Sequence, residues 1–498
     1  MNYITKTIYL DYLGCGKNAW LKLYKPELRN AFTLSEFELS LLAKGNLVEE
    51  WARKLFPGGE LVEATGEAAA LMTGELMDKK VPVIFQATFI KDGFLARNDV
   101  LVFDAVNECW NLLEIKGTNS LNEKSDSRDH IEDATFQAVI LSDLGIKLGT
   151  VSVIHLNKEY VRGESISVPD LFVQDDITSK VLSRMSETRD EMQKAKVALT
   201  QSDESILTCQ CLYAGRSAQC TTFRYSHPHV PDYSIHDLSR IGASKKKLES
   251  LVESEIFDIN DVPDEFNLSD IQRNQVVVHK MQRAMIDSVS ISADLKGLSF
   301  PLFFLDYETY PPAIPLFKGF KPYQQVPFQF SLDKISQPGG ELEHYEYLHE
   351  EASDPSLTII DRLRDIIGPE GTILVWHKSF EKMINSQMAL RHPEHADYLE
   401  DINDRIYDLE DIFKKQFYVH PGFKGRTSIK NILPIMVPSL SYKELEIQNG
   451  GEALEAWYQM VYGSGSDETK LQIAEDLKKY CGRDTYAMIA IWRELQLL

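Results

Sequence analysis

Apolar residues recur at helical spacing from Leu10 to Leu55, with Leu41, Leu42, Leu47, Val48 and Trp51 on one stripe, until Pro57-Gly58-Gly59 stops the pattern. Beyond that stop the period shortens to that of strands. Val81 to Ile90, Phe94 to Phe103 and Trp110 to Ile115 are strand-like runs, separated by Asp92-Gly93 and by a polar break around Asn107, and the first two read as a hairpin. A helical stretch from Ile131 to Leu144 passes Gly145 into the β-branched run Thr150 to His155, which completes an α/β core. Residues 175–205 carry the charge density of a solvated helix. A cysteine-bearing segment follows and ends near Pro228 and Pro231, where a domain boundary is expected.

From about Ser234 to Gly297 the pattern is that of a helical connector, in which Lys245-Lys246-Lys247 reads more readily as a solvated helix face than as a phosphate contact. The fully apolar run Leu302 to Leu305 then suits a buried central strand, and strand and helix signals continue to Leu498. The expected organisation is therefore an N-terminal α/β domain over 1–232, a connector over 233–297 and a second α/β domain over 298–498. No internal repeat is visible, which argues against a solenoid.

Composition narrows the class. At 498 residues the chain exceeds the roughly 250 to 300 residues that one core can serve. With 43% hydrophobic and 26% charged residues it has the balance of a folded globular protein. A net charge of -22 excludes a protein that coats polyanions through general basicity, though not an enzyme with a local basic channel. No apolar run is long enough to span a bilayer and the first residues lack a leader pattern, so a cytoplasmic, membrane-free location is expected. Six cysteines are too few for a disulfide scaffold and are expected as thiols or metal ligands.

Two sets of carboxylates stand out. Asp99 closes Ala96-Arg97-Asn98-Asp99 in one strand, and Glu114-Ile115-Lys116 lies in the next, where residues two apart share a face. Asp99 and Glu114 can bind a hard divalent cation through oxygen, while Lys116 can stabilise charge or orient an attacking water. Far downstream, Phe303-Phe304-Leu305-Asp306-Tyr307-Glu308 puts two carboxylates on one face of an apolar strand, and Tyr480-Cys-Gly-Arg-Asp484 places a phenol and a carboxylate one helical turn apart.

The first set resembles the PD-(D/E)XK fold, in particular RecB-like exonucleases and the iron-sulfur nucleases associated with CRISPR adaptation. The resemblance extends to Gly45-Asn46-Leu47-Val48-Glu49, which implies Glu49 as a further metal ligand, and to Gln137 as a group that positions substrate or water. It also implies that Cys15, Cys209, Cys211 and Cys220 hold a four-iron cluster. Their spacing, Cys-x-Cys and then eight residues, departs from that family's. Four thiolates also suit Zn²⁺, and plain buried thiols are the third alternative. Cys109 and Cys481 read as structural.

The second set resembles the DEDDy exonucleases of the RNase H-like fold, in which Asp306, Glu308, Glu381 and Asp484 would hold two Mg²⁺ or Mn²⁺ ions and Tyr480 would orient the water. Here Trp376-His377-Lys378-Ser379-Phe380-Glu381 stands where that family has Asn-x-x-Phe-Asp, and Asp408 is either a compensating ligand or a helix cap. With Tyr407 to Phe413, Pro421 to Lys430, Pro434 and Ser441-Tyr442, the chain resembles over most of its length a bacterial family of unknown function that joins a RecB-like region to an RNase H-like one. The resemblance implies a nuclease acting on nucleic acid, DNA before RNA, in repair, recombination or defence, with protein partners in such a complex. The alternative is a nucleic-acid-binding scaffold with one or both sites inactive.

Overall fold

The computed structural model describes residues 3–28, 36–121, 126–204 and 207–498. It is a mixed α/β structure with several sheets, and the chain divides into two compact units. The first comprises residues 1–212, 217–228 and 313–323, and the second 213–216, 229–312 and 324–498. The connector segment therefore belongs with the second unit, while eleven residues from within the expected C-terminal domain, 313–323, pack into the first. No described helix is long and apolar enough to cross a membrane.

The first unit is built on a sheet of β1 (Ile4–Thr5), β2 (Glu60–Leu61), β3 (Val83–Lys91), β4 (Phe94–Asp104), β5 (Cys109–Lys116), β6 (Leu148–Leu156) and β7 (Phe172–Asp176). Its order is β2-β3-β4-β5-β6-β7. β1 runs parallel to β4 at Phe94 and Leu95, beyond the stretch of β4 that pairs with β5. The expected strands are present, and Asp92-Gly93 turns the β3–β4 hairpin, both residues at positive φ. The Leu10–Leu55 stretch is not one helical run. It is divided among α1 (Lys6–Gly14), α2 (Gly16–Tyr24) and α3 (Glu36–Arg53), and Cys15 is extended between the first two.

On α3 the buried positions are Val48 and Ala52, whereas Leu47 is 37% exposed; the side chains of Leu41 and Leu42 lie outside the described residues. Of the expected stripe, Val48 lies in the core and Trp51 packs against it, with Ala52 joining them. Also in this unit are α4 (Gly66–Asp78), α5 (Asp126–Asp143) and α6 (Thr178–Leu199). Tyr9, Trp20, Phe89, Phe94, Phe136 and Met192 pack in one core; Val48, Phe85, Val100, Leu113, Ile154 and Ile314 form another. Apolar cover of this kind makes the central strands read as nearly continuous hydrophobic runs.

In the second unit a small ribbon pairs β8 (Met285–Ile286) with β14 (Tyr418–Val419). The main sheet holds β9 (Leu302–Tyr310), β10 (Val326–Ile335), β11 (Leu342–Leu348), β12 (Thr372–Val375) and β13 (Ile406–Asp408), in the order β11-β10-β9-β12-β13. β10 is antiparallel to both its neighbours, and β12 is parallel to β9 and β13. The alternation of β9 decides which residues meet. Phe303, Leu305 and Tyr307 enter a core with α7 (Ser356–Ile366), α8 (Lys378–Arg391) and α9 (Ala396–Asp404). Phe304, Asp306 and Glu308 take the other face, which carries α10 (Ile429–Met436), α11 (Gly450–Tyr462) and the long α12 (Asp467–Gln496). Gln329 donates to the Leu477 carbonyl at 3.0 Å, and Ser331 and Thr485 join hydroxyls at 2.8 Å, so α12 is fixed against β10 beside Asp306. Lys245 to Lys247 begin a helix with Lys245 and Lys246 exposed, as expected of a solvated face.

Candidate functional site

In the first unit the antiparallel register pairs Val100 with Leu113, so one step on Asp99 stands opposite Glu114. Asp99 accepts from the Ile115 amide at 2.8 Å. Glu114 is 1% exposed and accepts at Oε1 from both Lys6 (2.7 Å) and Lys116 (2.8 Å), and at Oε2 from Gln137 (2.8 Å). Gln137 also donates to Asp133, one turn earlier on α5, at 2.8 Å, and Lys116 pairs with the same Asp133. Glu49 is brought to the edge of this cluster by Gln86, whose amide contacts both Glu49 and Asp99. Gln86 sits opposite Asp99 at φ 56°, a left-handed conformation in mid-strand that a non-glycine residue rarely adopts and that is met most often at functional sites.

All five residues expected in this set are thus brought together, and three more join them. Asp133 was within reach of sequence reasoning, because it lies four residues before Gln137 on a helix. Gln86 and Lys6 carried no local signal. Lys6 arrives because β1 adds to the edge of β4 and α1 starts immediately after it.

The charges here are balanced by protein. Burial and the Glu114 charge push Asp99 well above the ordinary carboxyl range. Burial would raise Glu114 as well, but Lys116 and Lys6 outweigh it and hold Glu114 far below. Burial likewise opposes the charge on Lys6 and Lys116, and Glu114 and Asp133 raise both above the usual lysine range.

In the second unit Asp306, Glu308 and Cys481 have their ligand atoms within 4.8 Å of one another. Cys481 Sγ lies 3.9 Å from Asp306 Oδ2, so this cysteine, expected to be structural, is part of the cluster. Asp484 is buried near enough for its charge to act on both Asp306 and Glu308, and it accepts from the Tyr442 hydroxyl at 2.5 Å. Tyr480, one turn before it, is also buried and accepts from Lys430 at 3.1 Å. Burial, then the charges of Asp484, Glu308 and Glu381, push Asp306 well above its usual range, and burial with Asp484 does the same to Glu308. Asp484 is pushed up to about 6 by burial, against the hydrogen bonds of Tyr442 and Tyr480 and the Lys430 charge.

Glu381 lies in the first turn of α8; like Asp484 it is not one of the three residues whose ligand atoms lie within 4.8 Å, although its charge bears on Asp306. It is 2% exposed, its Oε2 has no hydrogen-bond partner, and burial followed by Asp408 and Glu410 pushes it up to about 8. Asp408 caps α8, accepting from the amides of His377 (3.0 Å) and Lys378 (3.2 Å), which agrees with the cap alternative although the capped helix is α8. His377 has φ 77° and sets its ring 3.2 Å from Glu410.

The four cysteines also converge. Cys15, Cys209, Cys211 and Cys220 have all their sulfurs within 4.8 Å, with Cys15–Cys209 and Cys209–Cys220 at 3.6 Å. Neighbouring segments are tied down around them: Asn18 accepts from Thr221 and Thr222 at 3.0 Å, and His227 meets the Cys209 carbonyl at 3.2 Å. The cysteine group, and the group of Asp306, Glu308 and Cys481, each bring together ligand atoms that could hold a metal ion.

Residues 303–428 match a family described as a domain of unknown function (DUF2779), a stretch that carries Asp306, Glu308, Glu381 and Asp408. The uncharacterized protein UU173 of Ureaplasma parvum is 32% identical over 149 residues, 27% of this chain and 21% of that protein. The uncharacterized protein MG366 of Mycoplasma genitalium is 28% identical over 210 residues, 38% of this chain and 31% of that protein. The chain thus spans less than a third of the length of these relatives. No solved structure matches it.

The raised carboxyl of Glu381 has a signed consequence for stability. In the unfolded chain it loses its proton near its ordinary value of about 4.3, in the folded one near 8, so between these the folded state binds more protons and stability falls as pH rises. Glu381→Gln, which cannot ionise, is expected to gain on the parent by roughly 1.4 kcal/mol per pH unit across that window, without added divalent cation. Denaturant melts at pH 5, 6, 7 and 8 check this; a constant difference between the two proteins contradicts it.

Proposed function

We propose that the chain is a metal-dependent nuclease that hydrolyses phosphodiester bonds of nucleic acid, DNA favoured, through a PD-(D/E)XK, RecB-like site in the first unit and an RNase H-like, DEDD-type exonuclease site in the second. The observation that carries the reading is the meeting of Asp306 and Glu308, on one face of a central strand, with Tyr480 and Asp484, one turn apart on α12. The sheet order β11-β10-β9-β12-β13, antiparallel on one side of β9 and parallel on the other, supports the RNase H-like assignment.

Asp306, Glu308 and Asp484 would hold Mg²⁺ or Mn²⁺ in the second site, with Glu381 further off, and Asp99 and Glu114 in the first, with Glu49 at its edge. When bound, such a cation supplies Lewis-acid stabilisation of the phosphate and a water that is nucleophilic at neutral pH. The protein's own part is orientation. Gln137 spans Glu114 and Asp133 and fixes both carboxylates, Lys116 supplies positive charge beside them, and Tyr480, kept neutral by burial and the acids around it, offers a hydroxyl to a water or phosphate oxygen. A setting in DNA repair, recombination or defence, with protein partners, remains part of this proposal.

A second reading, a nucleic-acid-binding scaffold with a silent first site, is favoured by one observation. Lys6 already occupies the Glu114 oxygen that a cation would take.

For the cysteines we propose one tetrahedral ion, Zn²⁺, in a structural role. Zinc–sulfur bonds of about 2.3 Å put tetrahedral sulfurs about 3.8 Å apart, close to the 3.6 Å contacts here. In a four-iron cluster each thiolate binds a different corner iron, and the sulfurs are spread wider. Closure of all four positions by protein is the mark of a structural site.

Two experiments follow. With labelled oligonucleotides and Mn²⁺, Asp306→Asn is expected to slow trimming of 3′ ends by about a hundredfold or more, Asp99→Asn to remove cleavage belonging to the first site, and the double variant to be silent. Asn is chosen at both positions because the buried carboxyls already favour the neutral form. A double variant as fast as the parent refutes the assignment; salt-sensitive binding without cleavage by the parent selects the scaffold. Metal analysis of anaerobically purified protein is expected to find about one zinc per chain and no iron. Brown protein carrying iron contradicts this.

A further inference from the structure

Lys430 lies in the first turn of α10, half-buried, and its ammonium makes two contacts: the Gln448 carbonyl at 2.6 Å and the Tyr480 oxygen at 3.1 Å. The ammonium stands 5.2 Å from the centre of the Tyr442 ring and 5.0 Å from that of Tyr480, within the range of cation–π attraction. An ammonium can only donate, so at this contact the tyrosine oxygen must accept. That takes up a lone pair on the phenol oxygen and leaves its single O–H to point elsewhere. Tyr480 and Asp484 are one helical turn apart, and the Tyr480 hydroxyl also bears on the Asp484 carboxyl. The O–H is therefore directed to the side on which Asp306, Glu308 and Asp484 gather.

The other tyrosine of the cluster, Tyr442, already donates to Asp484, so the two phenols are not interchangeable. The Gln448 carbonyl holds the lysine from behind. Asn449, the next residue, caps α11 through the Glu452 amide at 3.0 Å, which fixes the segment that offers this carbonyl.

We propose that Lys430 is the positioning residue of the second site, acting through Tyr480 by directing its O–H toward the acidic cluster; the assignment rests on the exonuclease reading above. It makes this site a lysine–tyrosine pair rather than a lone tyrosine.

The test is a double-mutant cycle on a 5′-labelled single-stranded DNA oligonucleotide in Mn²⁺, using the full chain, with Lys430→Met, Lys430→Arg, Tyr480→Phe and Lys430→Met/Tyr480→Phe. Lys430→Met is expected to lower kcat by up to about a hundredfold with KM unchanged, since a misplaced group costs turnover rather than binding. Lys430→Arg, which can still donate to the phenol, is expected to recover most of the loss. The double variant is expected to be no slower than Tyr480→Phe alone, because a lysine that acts only through that hydroxyl has nothing left to position. A purely structural role for Lys430 would instead lower the melting temperature and add to the Tyr480→Phe effect. Additive losses, a change confined to KM, or an unchanged kcat in Lys430→Met while Asp306→Asn is inactive overturn this proposal alone. A parent chain that trims no 3′ ends overturns the exonuclease reading, and the assignment falls with it.

Discussion

A carboxylate removed from water beside another carboxylate has to be met by positive charge, by protons or by hydrogen bonds, because the uncompensated cost is several kcal/mol per ion. Both units of this chain bury such carboxylates, and they meet the requirement differently. In the first unit Lys6 and Lys116 share one oxygen of Glu114 and both reach Asp133. In the second, among the described residues, no ammonium is in hydrogen-bond contact with Asp306 or Glu308, and burial with the neighbouring acids pushes both carboxyls up, with phenols and a thiol around them.

The difference bears on what each cluster can do. A cation entering the first site must displace the Lys6 ammonium from Glu114, so loading and the placing of β1 and α1 are linked there. A cation entering the second would compete with protons at carboxyls that burial pushes up, Asp484 to about 6, so its affinity is expected to rise with pH. The cysteine group adds a third donor set, four sulfurs within 4.8 Å of one another, which in the proposed zinc site would fill all four positions and leave none for a reacting group.

Strand alternation made much of this legible in advance. Asp306 and Glu308 share a face because they are two apart on a strand, and the turn at Asp92-Gly93 with the polar break near Asn107 set the β3–β4–β5 register that opposes Asp99 to Glu114. Tyr480 and Asp484 follow from helical spacing in the same way. What was hidden depends on pairings distant in sequence. Lys6 reaches Glu114 across 108 residues through a two-residue strand too short to leave a periodic signal, and Gln86 acts through a backbone kink that its residue type does not announce. The segment 313–323 could not be separated from its domain by composition, because packing, not pattern, assigns it to the first unit. Glu381 shows the opposite limit: the motif position was readable, but how closely its longer side chain approaches Asp306 depends on packing, which leaves it near enough for its charge to act on Asp306 but outside the tightest group.

The proposed chemistry of the second unit requires that acids from β9 and α12 together take up divalent cations. Anomalous diffraction from crystals soaked in Mn²⁺ tests it most directly. Density is expected between Asp306, Glu308 and Asp484 and is expected to disappear in Asp306→Asn crystals; full Mn²⁺ occupancy elsewhere with none among these three carboxylates would overturn the assignment.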